Sequence, residues 1–240
     1  MKKLLILALM LACIPSYASV AEGDAAYAAG NFAEALKQYE NALVPRRASA
    51  ELYYNIGNSY FKLGETGRAV AYYTKAFKLS PRNADIRHNL EFALARTGQH
   101  LVPDGLPPAL HRAFFFFSGA ELRGLFFIFL WVFCFALIFY IFKRKGKKLV
   151  FALGFLAVLA AAWYAVYRTA AGGYNAVTVS QTAQLRGGPG DSFEVTATLP
   201  EGYYVDLTDA KDDWVLAVNY KDDNMRGWAK KSNFINLKDI

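Results

Sequence analysis

Residues 124–142 and 149–167 contain no Asp, Glu, Lys or Arg, so each block of 19 residues is apolar with no charged face. At about 1.5 Å per residue, an α-helix of that length reaches roughly 28 Å, close to the hydrocarbon thickness of a bilayer. The pattern predicts two transmembrane helices, 122–142 and 149–167. A helix of a soluble core seldom lacks charge on every face, which argues against two buried core helices. Between the blocks, residues 143–148 hold Lys143, Arg144, Lys145, Lys147 and Lys148. A loop so short and so basic is expected on the cytoplasmic side. Lipid offers no partner to irregular backbone, so the two spans form an antiparallel hairpin and the chain on either side faces the opposite compartment.

Upstream, over residues 19–98, the pattern turns helical and repeats with a period of 34. Gly23, Gly30, Ala35, Tyr39 and Ala42 recur as Gly57, Gly64, Ala69, Tyr73 and Ala76. Period and positions resemble tetratricopeptide repeats, stacked helix-turn-helix units. Tyr53, Ile56, Gly57 and Tyr60 occupy the first-helix pattern of the second repeat; Ala69, Tyr73 and Ala76, followed by Pro81, occupy the second. Small residues let the helices approach, tyrosines fill the space left, and proline ends the helix. Ile86, Leu90, Ala93 and Leu94 lie at helical spacing and predict one more amphipathic helix, giving five in all. So short a stack leaves apolar surface uncovered, which favours a partner.

Alignment to the repeat pattern places Tyr54, Asn58, Phe61 and Lys62 in the groove lined by first helices, joined by His88, Phe92 and Arg96. Asn58 stands where peptide-binding repeats commonly carry an asparagine that grips the ligand backbone, and Lys62 or Arg96 would attract a carboxylate. The competing reading is a solvated concave face with no ligand.

Residues 99–121 read as a linker broken by Pro103, Gly105, Pro107 and Pro108, then an interfacial segment in which Phe114 to Phe117 lie between Arg112 and Arg123. That aromatic run is expected at the headgroups of the outer leaflet, or else as a docking surface for the repeats. After the hairpin, period-2 alternation appears at Val177/Val179, Val205/Leu207 and Trp214/Leu216/Val218, interrupted by glycine-rich and aspartate-rich turns. Short strands over residues 174–240 predict a small all-β barrel. Leu185-Arg186, Gly202, Asp213-Trp214 and Gly227-Trp228 stand in an order that resembles a bacterial SH3-like domain, with Trp228 expected to close its core.

The first 18 residues carry Lys2 and Lys3, an apolar run from Leu4 to Ile14, and Ser16-Tyr17-Ala18, the pattern of a signal peptide cut after Ala18. A lipoprotein modified at Cys13 and an uncleaved anchor are the alternatives, and each exports the segment after it. Net charge is +7, yet residues 106–173 hold eight basic residues against one acidic, so the basicity follows membrane topology and makes no case for nucleic acid. Cys13 and Cys134 fall in the leader and the first span, which leaves the exported parts no disulfide and no cysteine nucleophile. Residues 64–68 lack the ending of a phosphate loop, the three histidines are dispersed, and no zinc-binding motif is present. Neither enzyme chemistry, nor a cofactor, nor a metal site is expected.

The order of parts resembles the E-type proteins of the Bacteroides aerotolerance (Bat) operon over essentially the whole chain. The implied architecture is a multidomain membrane protein: all-α tetratricopeptide repeats, a two-helix transmembrane hairpin and a C-terminal all-β SH3-like barrel. The resemblance further implies a bacterial inner-membrane location with both soluble parts periplasmic. Its implied partners are von Willebrand A-domain membrane proteins and a MoxR-type ATPase, in stress tolerance or envelope integrity. Two functions remain open on sequence alone. One is a non-enzymatic scaffold that binds protein partners through its repeats, and the other is a sensor or tether that binds peptidoglycan through the SH3-like domain.

Overall fold

The computed structural model describes residues 19–44, 48–103, 105–172, 174–219 and 225–238. The expected leader, Pro45-Arg46-Arg47 and the Asp222-Asp223-Asn224 turn lie outside the described residues. The described residues divide into two units: one holds those up to residue 77 with residues 83–103 and those from 174 on, the other holds residues 78–82 and 105–172.

The first unit begins with five helices: α1 over residues 19–28, α2 Phe32–Ala42, α3 Ala50–Lys62, α4 Thr66–Leu79 and α5 Ala84–Arg96. Each boundary has a local cause. The Ser49 side chain accepts from Leu52 N–H at the start of α3, and Asn83 accepts from Asp85 and Ile86 N–H at the start of α5. Gly30, Gly64 and Gly98, one repeat apart, end α1, α3 and α5 with φ of +81°, +82° and +73°, the left-handed conformation that glycine adopts without strain. α5 therefore ends as the first helix of a further repeat would. Packing repeats with the same period. A Cβ on Gly23 would stand 2.6 Å from the ring of Tyr39, and one on Gly57 would stand 2.6 Å from the ring of Tyr73.

The rest of this unit is an antiparallel sheet of β1 Ala176–Thr178, β2 Thr182–Arg186, β3 Val195–Pro200, β4 Tyr204–Lys211, β5 Trp214–Asn219, β6 Met225–Lys230 and β7 Phe234–Asn236. The strand order is β3-β2-β6-β5-β4-β1-β7, so the sheet ends on β3 and β7 and does not close as the expected barrel would. Leu185, Leu199, Val205, Val215, Ala217, Ala229 and Phe234 build its core. Trp228 is not in that core. Gly227 and Ala229 are buried on either side of it, and since successive strand residues point to opposite faces, Trp228 lies on the outer face, half-buried. Asp212 turns the β4–β5 hairpin with φ +51°, a conformation aspartate tolerates.

The sheet packs on α4. Thr74 Oγ1 and the Tyr204 hydroxyl are 2.7 Å apart. Gly67 N–H, in the first turn of α4, donates to Glu201 Oε2 at 3.1 Å, so a carboxylate from the sheet answers an orphan amide and the positive end of the helix dipole. Gln99 Nε2 donates to Gly202 O at 2.6 Å. Gly67 admits the close approach, since a Cβ there would stand 2.7 Å from Thr178 O. Ten of the 14 residues of α4 are buried, against three of 11 in α2, because repeats cover one side of α4 and the sheet another.

The second unit contains α6 Pro108–Phe114, α7 Gly119–Lys143 and α8 Lys147–Gly172. α7 starts with a capping box: Ser118 Oγ accepts from Glu121 N–H, and Glu121 Oε2 accepts from Ser118 N–H at 2.8 Å. Arg82, of the same unit, pairs with Glu121 at 2.6 Å and lies 5.1 Å from the ring centre of Phe116. Phe114 and Phe115 pack on Tyr167, and Phe117 on Trp163. Both long helices are apolar and long enough to cross a membrane, and 0% and 6% of their apolar windows are buried, unlike the core helices of a soluble protein. Lys143 closes α7 while Lys147 and Lys148 open α8, so residues 144–146 alone make the turn where a loop over 143–148 was expected.

Candidate functional site

The repeats bring three equivalent positions together twice. Tyr39 donates its hydroxyl to Asp24 Oδ1 at 2.7 Å, and Asn55 Nδ2 donates to that oxygen at 3.3 Å. One period later Tyr73 donates to Asn58 Oδ1 at 2.7 Å, and Asn89 Nδ2 donates to it at 2.9 Å. Burial, first of all, pushes both tyrosine hydroxyls above their usual range, so each stays a donor at physiological pH. Two donors on Oδ1 fix the amide of Asn58 and leave its NH2 group unpaired among the described residues.

Over the second set opens a cavity of about 240 Å³ lined by Tyr27, Asn58, Phe61, Lys62, Tyr73, His88, Asn89 and Phe92. Over the first lies one of about 230 Å³ lined by Asp24, Tyr27, Ala28, Tyr39, Asn55 and Asn58. Tyr27 and Asn58 border both, so the two form one groove across α1, α3 and α5. A larger cavity of about 760 Å³ lies between α7 and α8. Its lining is almost wholly apolar.

Of the residues picked from sequence, Asn58, Phe61, Lys62, His88 and Phe92 line the groove cavity. Arg96 lies beside it, its guanidinium 4.7 Å from the ring centre of Phe61 and 5.4 Å from that of Phe92, within cation–π range. Tyr54 has a structural part: its hydroxyl accepts from Asn89 at 3.0 Å. Lys62 lies 5.9 Å over the ring of Phe32 and pairs with no carboxylate among the described residues. Phe92 is 50% exposed, an aromatic surface left to solvent in the middle of the groove.

Sequence reasoning passed over Asp24, Tyr27, Asn55 and Asn89. The available signal was the period itself, since Asp24 and Asn58, and Asn55 and Asn89, are spaced as Tyr39 and Tyr73 are. The basic residues Lys143, Arg144, Lys145, Lys147 and Lys148 all fall at the α7–α8 turn. Among the described residues no group of three or more His, Cys, Asp or Glu is arranged to hold a metal ion.

Comparison with known proteins bears on the helices. The model of the tetratricopeptide repeat matches residues 50–83 and a TPR repeat model matches residues 23–64. Curated proteins give no match. Among solved structures, the Arabidopsis OM64 TPR domain is 17% identical with a TM-score of 0.32, over 64% of this chain and 96% of that one. Residues 23–83 are tetratricopeptide repeats, helical units that serve as scaffolds for protein–protein interaction.

Proposed function

We propose that this protein is a non-enzymatic, membrane-anchored scaffold whose repeats hold a protein segment in the groove across α1, α3 and α5. The carrying observation is the twice-built polar set, which spends Oδ1 of Asn58 on the fold and leaves its NH2 group for a ligand carbonyl. Phe61 and Phe92 offer apolar contact, and Lys62 and Arg96 offer charge that pairs with no carboxylate among the described residues. The candidate site is therefore Asn58, Phe61, Lys62, His88, Phe92 and Arg96, with Tyr54 supporting it from beneath.

The anchoring is read from two features. α7 and α8 form two spans around a basic turn at Lys143, Arg144, Lys145, Lys147 and Lys148, which favours a cytoplasmic turn. The bonds between α4 and the sheet join the chain before the hairpin to the chain after it. An even number of crossings is the topology that permits this. On this reading residues 1–18 are an export signal, residues 19–77, 83–98 and 174–240 form one periplasmic body, and the hairpin is an insertion into it. The sheet is assigned as an SH3-like module left open at its edges, and the process as envelope stress tolerance beside von Willebrand A-domain proteins and a MoxR-type ATPase, as in Bat-type systems.

In-cell crosslinking of the full-length protein, read by mass spectrometry, tests the groove. Protein partners captured by the wild type are expected to fade in an equally abundant Asn58→Ala, Lys62→Glu variant. Unchanged capture would remove the groove from the function.

A further inference from the structure

The two cavities of the groove occupy equivalent positions in successive repeats, yet their polar groups are opposite in kind. In the first repeat the central side chain is Asp24, a carboxylate whose Oδ1 is held by Tyr39 and Asn55 while Oδ2 has no partner among the described residues. In the second it is Asn58, an amide held in the same way. The remaining charges sharpen the contrast. Asp24 is the charged residue of the first cavity, and its carboxylate attracts a cation. Lys62 lines the second, with Arg96 at its edge.

Building on the groove as a peptide site, we propose that its occupant is an extended segment bearing one cationic and one anionic side chain, the cation at Asp24 and the anion at Lys62 and Arg96. The spacing follows from the helices. α1 and α3 touch through the Asn55–Asp24 bond, and packed helices lie about 10 Å apart. An extended chain advances about 3.3 Å per residue, which puts an anion at Lys62 about three residues from a cation at Asp24, with Arg96 on α5 reaching toward it from the far side. A segment of one sign meets repulsion in one of the two cavities.

Detergent-solubilised full-length protein is titrated with short labelled peptides, acetylated and amidated at their ends. Each carries Lys and Asp three positions apart in either order; the comparison peptides carry Lys twice, Asp twice, or Ala in place of Lys. A charge-assisted bond supports an expected preference of about tenfold for the mixed peptide over the Ala form. Asp24→Asn is expected to abolish that preference while leaving affinity for the Ala form unchanged. The variant keeps the fold, since Asn58 already makes the same two bonds one repeat later. Asp24→Lys is expected to shift the preference to the peptide with two Asp. If peptides bind with no preference for mixed charge, or Asp24→Asn leaves the preference intact, the inference fails and a binding groove stands. If no peptide in the set binds, both readings fail.

Discussion

The contact between α4 and the sheet is open to a double-mutant cycle. Thr74 Oγ1 donates to Val70 O at 2.7 Å, so in its 2.7 Å contact with Tyr204 the phenol is the donor. Tyr204→Phe removes that bond and leaves Thr74 still donating to Val70, a loss of about 1 kcal/mol. Thr74→Val strands the phenol among packed atoms, costing about 1–3 kcal/mol. In the double variant neither polar atom is left over, so its cost falls short of the sum by about 1 kcal/mol. Hydrogen exchange on the solubilised full-length protein reads the effect at Gly202, whose N–H donates to Thr178 O at 2.7 Å. Each 1 kcal/mol of weakened docking speeds exchange there about fivefold. Strict additivity of the two substitutions would refute a direct Thr74–Tyr204 bond. Unchanged exchange at Gly202 in both single variants would refute docking of the sheet on α4.

Two further outcomes are expected. Gly57→Ala drives a Cβ to 2.6 Å from the ring of Tyr73; overpacking of about 1–3 kcal/mol outweighs a helix-propensity gain of up to about 1 kcal/mol, so thermal unfolding should move down, whereas Gly124→Ala, with nothing within 4 Å of the new Cβ, should not lower it. Burial pushes Tyr72 and Tyr204 up to about 12 from 10.0, so the stability they lend is full below pH 10.0 and lost as pH rises to about 12. Unfolding followed across that window by tyrosinate absorbance should be less steep in Tyr204→Phe.

Legibility in the sequence followed the physics of each element. The repeats were readable because Gly23, Gly57, Tyr39 and Tyr73 answer one another in packing as well as in spacing. The two long apolar helices were readable because each is a continuous run without charge. Strand β3 was passed over: Val195, Ala197 and Leu199 alternate with Thr196 and Thr198, but at the edge of the sheet Leu199 alone of them is buried, so the signal is short and weak. Trp228 misled because a large aromatic suggests a core, while small Gly227 and Ala229 point inward. The docking of the sheet was invisible, since Gly67 and Glu201, like Thr74 and Tyr204, are ordinary residues far apart in the chain. At the groove, Asn58 and the aromatic pair Phe61 and Phe92 could be picked from pattern. The locking of Asn58 by Tyr73 and Asn89 could not, because it needs three helices in place.

The central claim is that the chain before and after the hairpin forms one body on one side of the membrane. Labelling of whole cells, outer membrane permeabilised, with a membrane-impermeant maleimide tests it on single cysteines placed at the exposed positions Lys37, Lys145 and Asp191 in a Cys134→Ala background. Labelling at 37 and 191, with 145 protected until the inner membrane is broken, is the result the account predicts. Labelling at 37 and 145 with 191 protected, or at 191 and 145 with 37 protected, would contradict it.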